Sequence, residues 1–163
     1  MLRSAIYARL SIKGRFNFED SLSLIYEEGG EITANFIDIG QDGYSFDRPE
    51  YQRMKKCIND GLLDLIVVPS FVEFSRDVSK ALEEINFIKK KGVKIIFADI
   101  DLDMDEVDIT SDSFKKVLDA VLDAFPIETI GKDKEIEDEL HANKNHIEDY
   151  MDDFQVVDTD LLN

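Results

Sequence analysis

The stretch Leu62-Leu63-Asp64-Leu65-Ile66-Val67-Val68 decides the fold class, because six of its seven residues are apolar. A short apolar run of this kind is typical of a strand that is buried on both faces, as in the centre of a parallel sheet. Three further strands are predicted over residues 2–8, 32–39 and 93–98. Predicted helices alternate with these strands over 20–28, 49–59 and 78–92. The sequence therefore predicts an α/β fold with a doubly wound, mostly parallel sheet.

The charge is divided unevenly along the chain. Residues 1–98 contain 14 Lys and Arg against 15 Asp and Glu, whereas residues 99–163 contain 5 against 21. An acidic segment repels nucleic acid and adds solubility, so the second part is not expected to form an autonomous DNA-binding module. We predict a domain over 1–98, an acidic connector with an oligomerisation helix over 99–126, and an acidic, partly disordered tail over 127–163, in which 133–150 could form a further polar helix.

The helix predicted within 99–126 carries a wide apolar stripe, formed by Phe114, Val117, Leu118, Val121, Leu122 and Phe125. This stripe is too wide to leave exposed, so it is expected either to pack on the sheet domain or to form a dimer interface. A homo-oligomer or hetero-oligomer is therefore expected rather than a monomer.

Several classes of protein are excluded by composition. No run approaches the roughly 18 apolar residues of a membrane helix, and the single cysteine, Cys57, fits a reducing cytoplasm. No metal or cofactor is expected. Asp99, Asp101 and Asp103 imitate the start of a calcium loop, but Met104 occupies the position that requires glycine.

Candidate site residues follow the carboxyl ends of the predicted strands, which is where doubly wound sheets bind ligands. The segments concerned are 9–11, 40–48 and 70–77, and they contain serines beside arginines, several acids and a glycine-bearing turn. A hydroxyl nucleophile with guanidinium groups suits a phosphate substrate, because arginine binds phosphate oxygens in pairs and stays charged.

The order and spacing of these motifs make the indication more specific. The first strand ends in Tyr7-Ala8-Arg9-Leu10-Ser11, and the second leads to Asp38-x-Gly40-x-Asp42-Gly43 with Arg48-Pro49 behind it. The third is followed by Ser75-Arg76-Asp77. This series resembles the catalytic domain of the serine recombinases, the family of resolvases, invertases and large serine integrases. The resemblance covers residues 3 to about 98 and, more loosely, the helix from Phe114.

The resemblance implies that Ser11 attacks a DNA phosphodiester, forms a covalent 5′-phosphoserine link and frees a 3′-hydroxyl without ATP. It implies that Arg9 and Arg48 hold the phosphate and that Arg76 assists them. The substrate-binding residues would be those that shape the loop beside the phosphate: Tyr7, Asp38, Asp42 and Gly43.

Three departures from the family pattern predict impaired cleavage. The family's Asp-Arg-x-x-Arg motif reads Val72-Glu73-Phe74-Ser75-Arg76 here, so a carboxylate stands in place of a cation. Loss of one donor to a transition-state charge costs about 10²–10³ in rate, and Glu73 is expected to repel the phosphate as well. The glutamine-bearing stretch that usually follows the nucleophile is missing from the sequence, as is a zinc ribbon or helix-turn-helix.

Two main hypotheses follow, and a third is weaker. The chain is either an impaired recombinase catalytic domain that still cleaves DNA, or an inactive recombinase-like protein that regulates or pairs with an active recombinase. A flavodoxin-like or receiver-like binding module is the third alternative. A receiver would need paired acids after the first strand, which instead ends in Arg9-Leu10-Ser11.

Overall fold

The computed structural model describes residues 1–10, 18–100 and 102–124, and the predicted α/β class is confirmed within them. The strands are β1 (Leu2–Leu10), β2 (Gly30–Ile39), β3 (Leu65–Val68), β4 (Lys94–Phe97) and β5 (Leu102–Asp103). The helices are α1 (Phe18–Glu27), α2 (Pro49–Asn59), α3 (Phe71–Phe74), α4 (Val78–Lys90) and α5 (Asp112–Asp123). The sheet order is β2-β1-β3-β4-β5, in which β1 to β4 run parallel and β5 runs antiparallel to β4.

The sheet is covered on both faces, as the continuous apolar run in β3 predicts. All four residues of β3 are buried. Along β1, Ala5 and Tyr7 join the core that is formed with α2, α4 and α5, whereas Ile6 and Ala8 join the core under α1. This alternation follows from the two-residue period of a strand. Arg9 follows Tyr7 by two residues, so its side chain leaves the strand on the same face of the sheet. The Arg9 guanidinium therefore lies on the side that α2 and α4 cover.

The ends of α2 and α4, which both cover that face, follow the sequence signals. Pro49 occupies the first turn of α2, where its missing N–H costs nothing. Asp77 caps α4 by accepting a hydrogen bond from the Lys80 backbone N–H at 3.1 Å. Gly61 and Gly92 follow α2 and α4 with φ of 71° and 77°, a backbone conformation that glycine adopts without steric cost.

Two ion-pair groups tie the opposite, amino edge of the sheet. Arg3 donates to the Asp64 carboxylate from Nε and Nη2, each at 3.0 Å, which joins the start of β1 to the start of β3. The Lys94 ammonium lies 2.7 Å from Glu28 and 2.8 Å from Asp103, so it links α1, β4 and β5.

Two short elements were not predicted. The segment after β4 was interpreted only as an acidic connector, yet Leu102 and Asp103 pair with β4, and Met104 behind them is fully buried. No element was predicted in the segment after β3, yet Phe71–Phe74 forms α3, a single helical turn. Both are too short to produce a periodic pattern, and both are fixed by contacts with distant parts of the chain.

The predicted α5 stripe is narrower in the structure than in the sequence. Phe114, Leu118 and Leu122, spaced one turn apart, are buried in the same core as α4, whereas Val117 is 53% exposed. This stripe was expected either to pack on the sheet domain or to form a dimer interface. For Phe114, Leu118 and Leu122 the first alternative holds. The oligomerisation role and the division at residue 98 remain predictions, and the predictions for Phe125, for residue 126 onward and for the tail lie outside the described residues.

Within the part of the chain that the structure describes, no helix is long and apolar enough to cross a membrane.

Candidate active site

The candidate site lies where the strand order changes direction, between β1 and β3. From β1 the chain continues to β2, which lies on one side of the β1–β3 pair. From β3 it continues to β4, which lies on the other side. The segments that follow therefore diverge and leave room at the carboxyl edge, as is usual at a switch point. The Gly40 N–H donates to the Leu10 carbonyl at 3.1 Å, so the loop after β2 begins beside the end of β1.

Arg9 spans this switch point. Its guanidinium donates to the carbonyl of Gln41 at 3.1 Å on one side, and to the carbonyls of Val72, at 3.4 Å, and Glu73 on the other. The Glu73 carboxylate adds an ion pair, with Oε2 3.5 Å from Arg9 Nη2. Arg9 as a whole is 1% exposed. The guanidinium thus connects the loop after β2 to α3, and it does so with its charge already matched by a carboxylate.

Arg48 is equally buried and is held by the loop that precedes α2. It donates to the carbonyls of Asp42 at 3.2 Å and Gly43 at 3.4 Å, and to the Tyr7 hydroxyl at 3.2 Å. Its guanidinium carbon lies 4.5 Å from the centre of the Phe46 ring, within the range of a cation–π contact. A buried charge must be stabilised by polar or aromatic neighbours. For Arg48 these neighbours are the loop carbonyls, the Tyr7 hydroxyl and the face of the Phe46 ring.

Asp38 accepts three hydrogen bonds at the start of α2. Its carboxylate receives the Glu50 N–H at 2.9 Å, the Tyr51 N–H at 3.0 Å and the Tyr7 O–H at 2.9 Å. Burial raises the pKa of the Tyr7 phenol well above its usual range, although the nearby Arg48 charge opposes that effect. The phenol therefore stays protonated, which allows it to donate to Asp38 while it accepts from Arg48.

Arg76 approaches the same loop from the segment after α3. Its backbone N–H donates to the Gly43 carbonyl at 2.8 Å, and its Nη2 donates to the Leu122 carbonyl in α5 at 3.4 Å. Asp42 is exposed and accepts the Tyr44 N–H at 2.9 Å, which shapes the turn that carries Gly43. Arg76 thus contacts the candidate site through its main chain and the last described helix through its guanidinium.

The structure brings most of the predicted site residues together. Arg9, Arg48 and Arg76 all contact the short loop 41–43, which we call the acceptor loop, and Tyr7 and Asp38 lie directly behind it. Ser11 follows Leu10 at the end of β1 but lies outside the described residues.

Two contacts of the site were missed at the level of sequence. Glu73 was expected only to repel phosphate, and its ion pair with Arg9 was not foreseen. Asp99, just past β4, accepts the Phe71 N–H at 3.1 and 3.2 Å and so fixes the start of α3. Burial raises the pKa of its carboxyl, against the effect of that hydrogen bond. The pattern Ser70-x-x-Glu73, a capping-box signature, was a usable signal for α3.

The described residues offer no cluster of three or more His, Cys, Asp or Glu side chains that could hold a metal ion. The chemistry that the described residues bring to this edge includes guanidinium groups, backbone carbonyls, the buried Tyr7–Asp38 pair and the carboxylates of Glu73 and Asp99.

Comparison with known proteins assigns the family. A family model described as the resolvase N-terminal domain matches residues 4–146, which is most of the chain. The chain therefore belongs to the resolvase family and is a catalytic domain of the serine-recombinase type. The resemblance inferred from the motifs is confirmed by this match.

Solved structures agree on the fold. The N-terminal catalytic domain of TP901-1 integrase superposes with a TM-score of 0.60 at 21% identity, covering 75% of this chain and 95% of that one. A resolvase family site-specific recombinase from Streptococcus pneumoniae gives a TM-score of 0.53 at 16% identity, covering 93% of this chain and 99% of that one. No curated protein sequence gives a significant match.

Proposed function

We propose that this chain carries out site-specific DNA recombination chemistry at an impaired rate: cleavage and rejoining of a phosphodiester through Ser11. In the cleavage step, Ser11 Oγ forms a bond to phosphorus and the bond from phosphorus to the 3′-oxygen breaks. The 3′-hydroxyl leaves with a proton, and the phosphate remains as a serine ester. The ester conserves the energy needed to reseal the strand, so no cofactor is required.

The convergence of three arginines on the acceptor loop is the observation that carries this proposal. They come from separate parts of the chain, yet each contacts residues 41–43: Arg9 and Arg48 through their guanidinium groups, and Arg76 through its backbone N–H. The loop itself begins beside Leu10, the residue before Ser11. Guanidinium groups next to a hydroxyl are suited to bind a phosphodiester and to stabilise the charge that develops during attack.

The impairment is supported by the state of the two buried arginines. Arg9 and Arg48 donate to backbone carbonyls, and Arg9 is also paired with Glu73. A phosphate must therefore compete with groups of the protein itself. This competition reduces the stabilisation that Arg9 and Arg48 can give to the charge that develops on the phosphate during cleavage.

The same observation favours a second candidate function, a non-cleaving protein that pairs with an active recombinase. In that role the buried arginines only hold the acceptor loop and α3 in place. DNA would then be contacted mainly through the partner, and the exposed side of α5, around Val117, is available for oligomerisation.

Trapping of covalent adducts on supercoiled DNA distinguishes the two functions. An active domain gives a protein–DNA adduct that is lost in Ser11→Ala, and Glu73→Arg should increase its yield by restoring a cation. If neither the parent nor Glu73→Arg forms an adduct, cleavage by this chain is refuted. Tight binding to an active recombinase would then support the second function.

A further inference from the structure

We infer that Glu73 is an autoinhibitory counter-ion, which occupies Arg9 where a DNA phosphate would bind and must move aside before the site can take its substrate. This inference rests on the proposed function and concerns the regulation of that same site. It is carried by the position of Glu73 relative to Arg9 and by the anchoring of the turn that bears it.

The backbone of Glu73 is fixed from two sides. Its N–H donates to the Ser70 hydroxyl at 3.2 Å, which closes the first turn of α3. The Phe71 N–H donates to the Asp99 carboxylate, which holds the same turn against the end of β4. The Glu73 carbonyl accepts from Arg9 Nε. Because the main chain is held in this way, separating the carboxylate from Arg9 requires rotation about the Glu73 side-chain bonds.

The Glu73 side chain is slightly exposed whereas that of Arg9 is not, although the Oε2 atom that pairs with Arg9 is itself buried. The Glu73 side chain is 15% exposed and the Arg9 side chain is 0% exposed. The two charges lie 3.5 Å apart between Oε2 and Nη2. The ion pair therefore joins a fully buried cation to an anion whose side chain is only slightly exposed.

Carboxylate and phosphodiester oxygens compete for the same ligand. Both are anionic acceptors that guanidinium binds through paired N–H groups. Two anions cannot share a poorly solvated cation without strong repulsion, because charges interact more strongly there than in water. Phosphate binding at Arg9 must therefore displace the Glu73 carboxylate, and neutralising that carboxylate should remove the competition.

Anion binding measured without cleavage tests this directly. In a Ser11→Ala background, inorganic phosphate is titrated by calorimetry into the parent and into Glu73→Gln at one ionic strength. We expect at least a tenfold lower Kd for Glu73→Gln. The matched control is Glu83→Gln, which removes one exposed carboxylate from α4 and changes the net charge equally. We expect this control to change Kd by less than twofold.

The outcomes separate this inference from the proposed function, because no bond is broken in the assay. Equal Kd changes for Glu73→Gln and Glu83→Gln would overturn the counter-ion role, whatever the adduct assay gives. If Glu73→Gln fails to fold, Glu73→Asp takes its place, since it withdraws the anion by one methylene and keeps its charge. Glu73→Asp should bind phosphate more tightly than the parent, and an unchanged Kd would refute the inference.

Discussion

Replacement of Asp38 by alanine should strongly destabilise the domain, because this one carboxylate satisfies three buried donors. It caps α2 through the N–H groups of Glu50 and Tyr51 and accepts the hydroxyl of Tyr7. Arg48, at the N-cap position of α2, provides no side-chain cap, so no other residue takes over that function.

The magnitude follows from the groups left without a partner. Loss of a helix N-cap costs about 0.5–2 kcal/mol. A buried hydroxyl that loses its acceptor costs about 1–3 kcal/mol. Because the two losses share one carboxylate and are not fully additive, we expect a decrease of about 2–4 kcal/mol in the free energy of unfolding. Asp38→Asn should lose less, since its amide oxygen still accepts hydrogen bonds.

Urea denaturation followed by circular dichroism measures the effect. With a slope of about 2 kcal/mol per M, the midpoint of Asp38→Ala should fall by roughly 1–2 M. Asp47→Ala is the matched control, because Asp47 is an exposed aspartate in the same loop. It should stay within about 0.5 kcal/mol of the parent. If Asp38→Ala and Asp47→Ala unfold at the same urea concentration, the capping role described for Asp38 is wrong.

Two further predictions concern α5 and the amino edge of the sheet. Leu118→Ala should cost about 2–5 kcal/mol of stability, because Leu118 is fully buried, whereas Val117→Ala should be nearly neutral; equal effects in thermal unfolding would contradict the packing of α5 in the core. The ion pair with Arg3 lowers the pKa of Asp64 to about 2, below its unfolded value of about 3.9. The stabilisation from this partly exposed pair, about 1 kcal/mol or less, is therefore present above pH 4 and lost as the pH falls toward 2. The difference in unfolding free energy between the parent and Asp64→Asn should shrink over that range in urea titrations, and a constant difference would refute the linkage.

The sequence was sufficient for the elements that carry a local signal. The apolar run 62–68 predicts a buried central strand, and β3 is buried at every position. The structure starts β3 at Leu65, and the carboxylate of the preceding residue, Asp64, accepts hydrogen bonds from Arg3. By contrast, β5 depends on its register with β4, and the start of α3 depends on Asp99, which lies 28 residues beyond Phe71. Such distant contacts leave little trace in local periodicity.

The candidate site was predictable in its location but not in its electrostatics. The rule that ligands bind at the carboxyl ends of parallel strands places residues 9, 48 and 76 at one edge, and the structure agrees. The partners of each guanidinium depend on where a loop carbonyl or a carboxylate lies after folding. For this reason the sequence indicated that Glu73 opposes phosphate, but not that it is paired with Arg9.

The acceptor loop has a consequence for how alanine scanning of this site should be interpreted. Arg9 and Arg48 both contact this three-residue piece of main chain through their guanidinium groups, so truncating either one releases part of the support on which the other depends. Arg76 contacts it through its backbone N–H, which an alanine substitution keeps. Single substitutions of Arg9 and Arg48 would then each report a similar loss, and the double substitution would lose less than the sum. Double-mutant cycles are therefore needed to separate what each arginine gives to the substrate from what it gives to its neighbours.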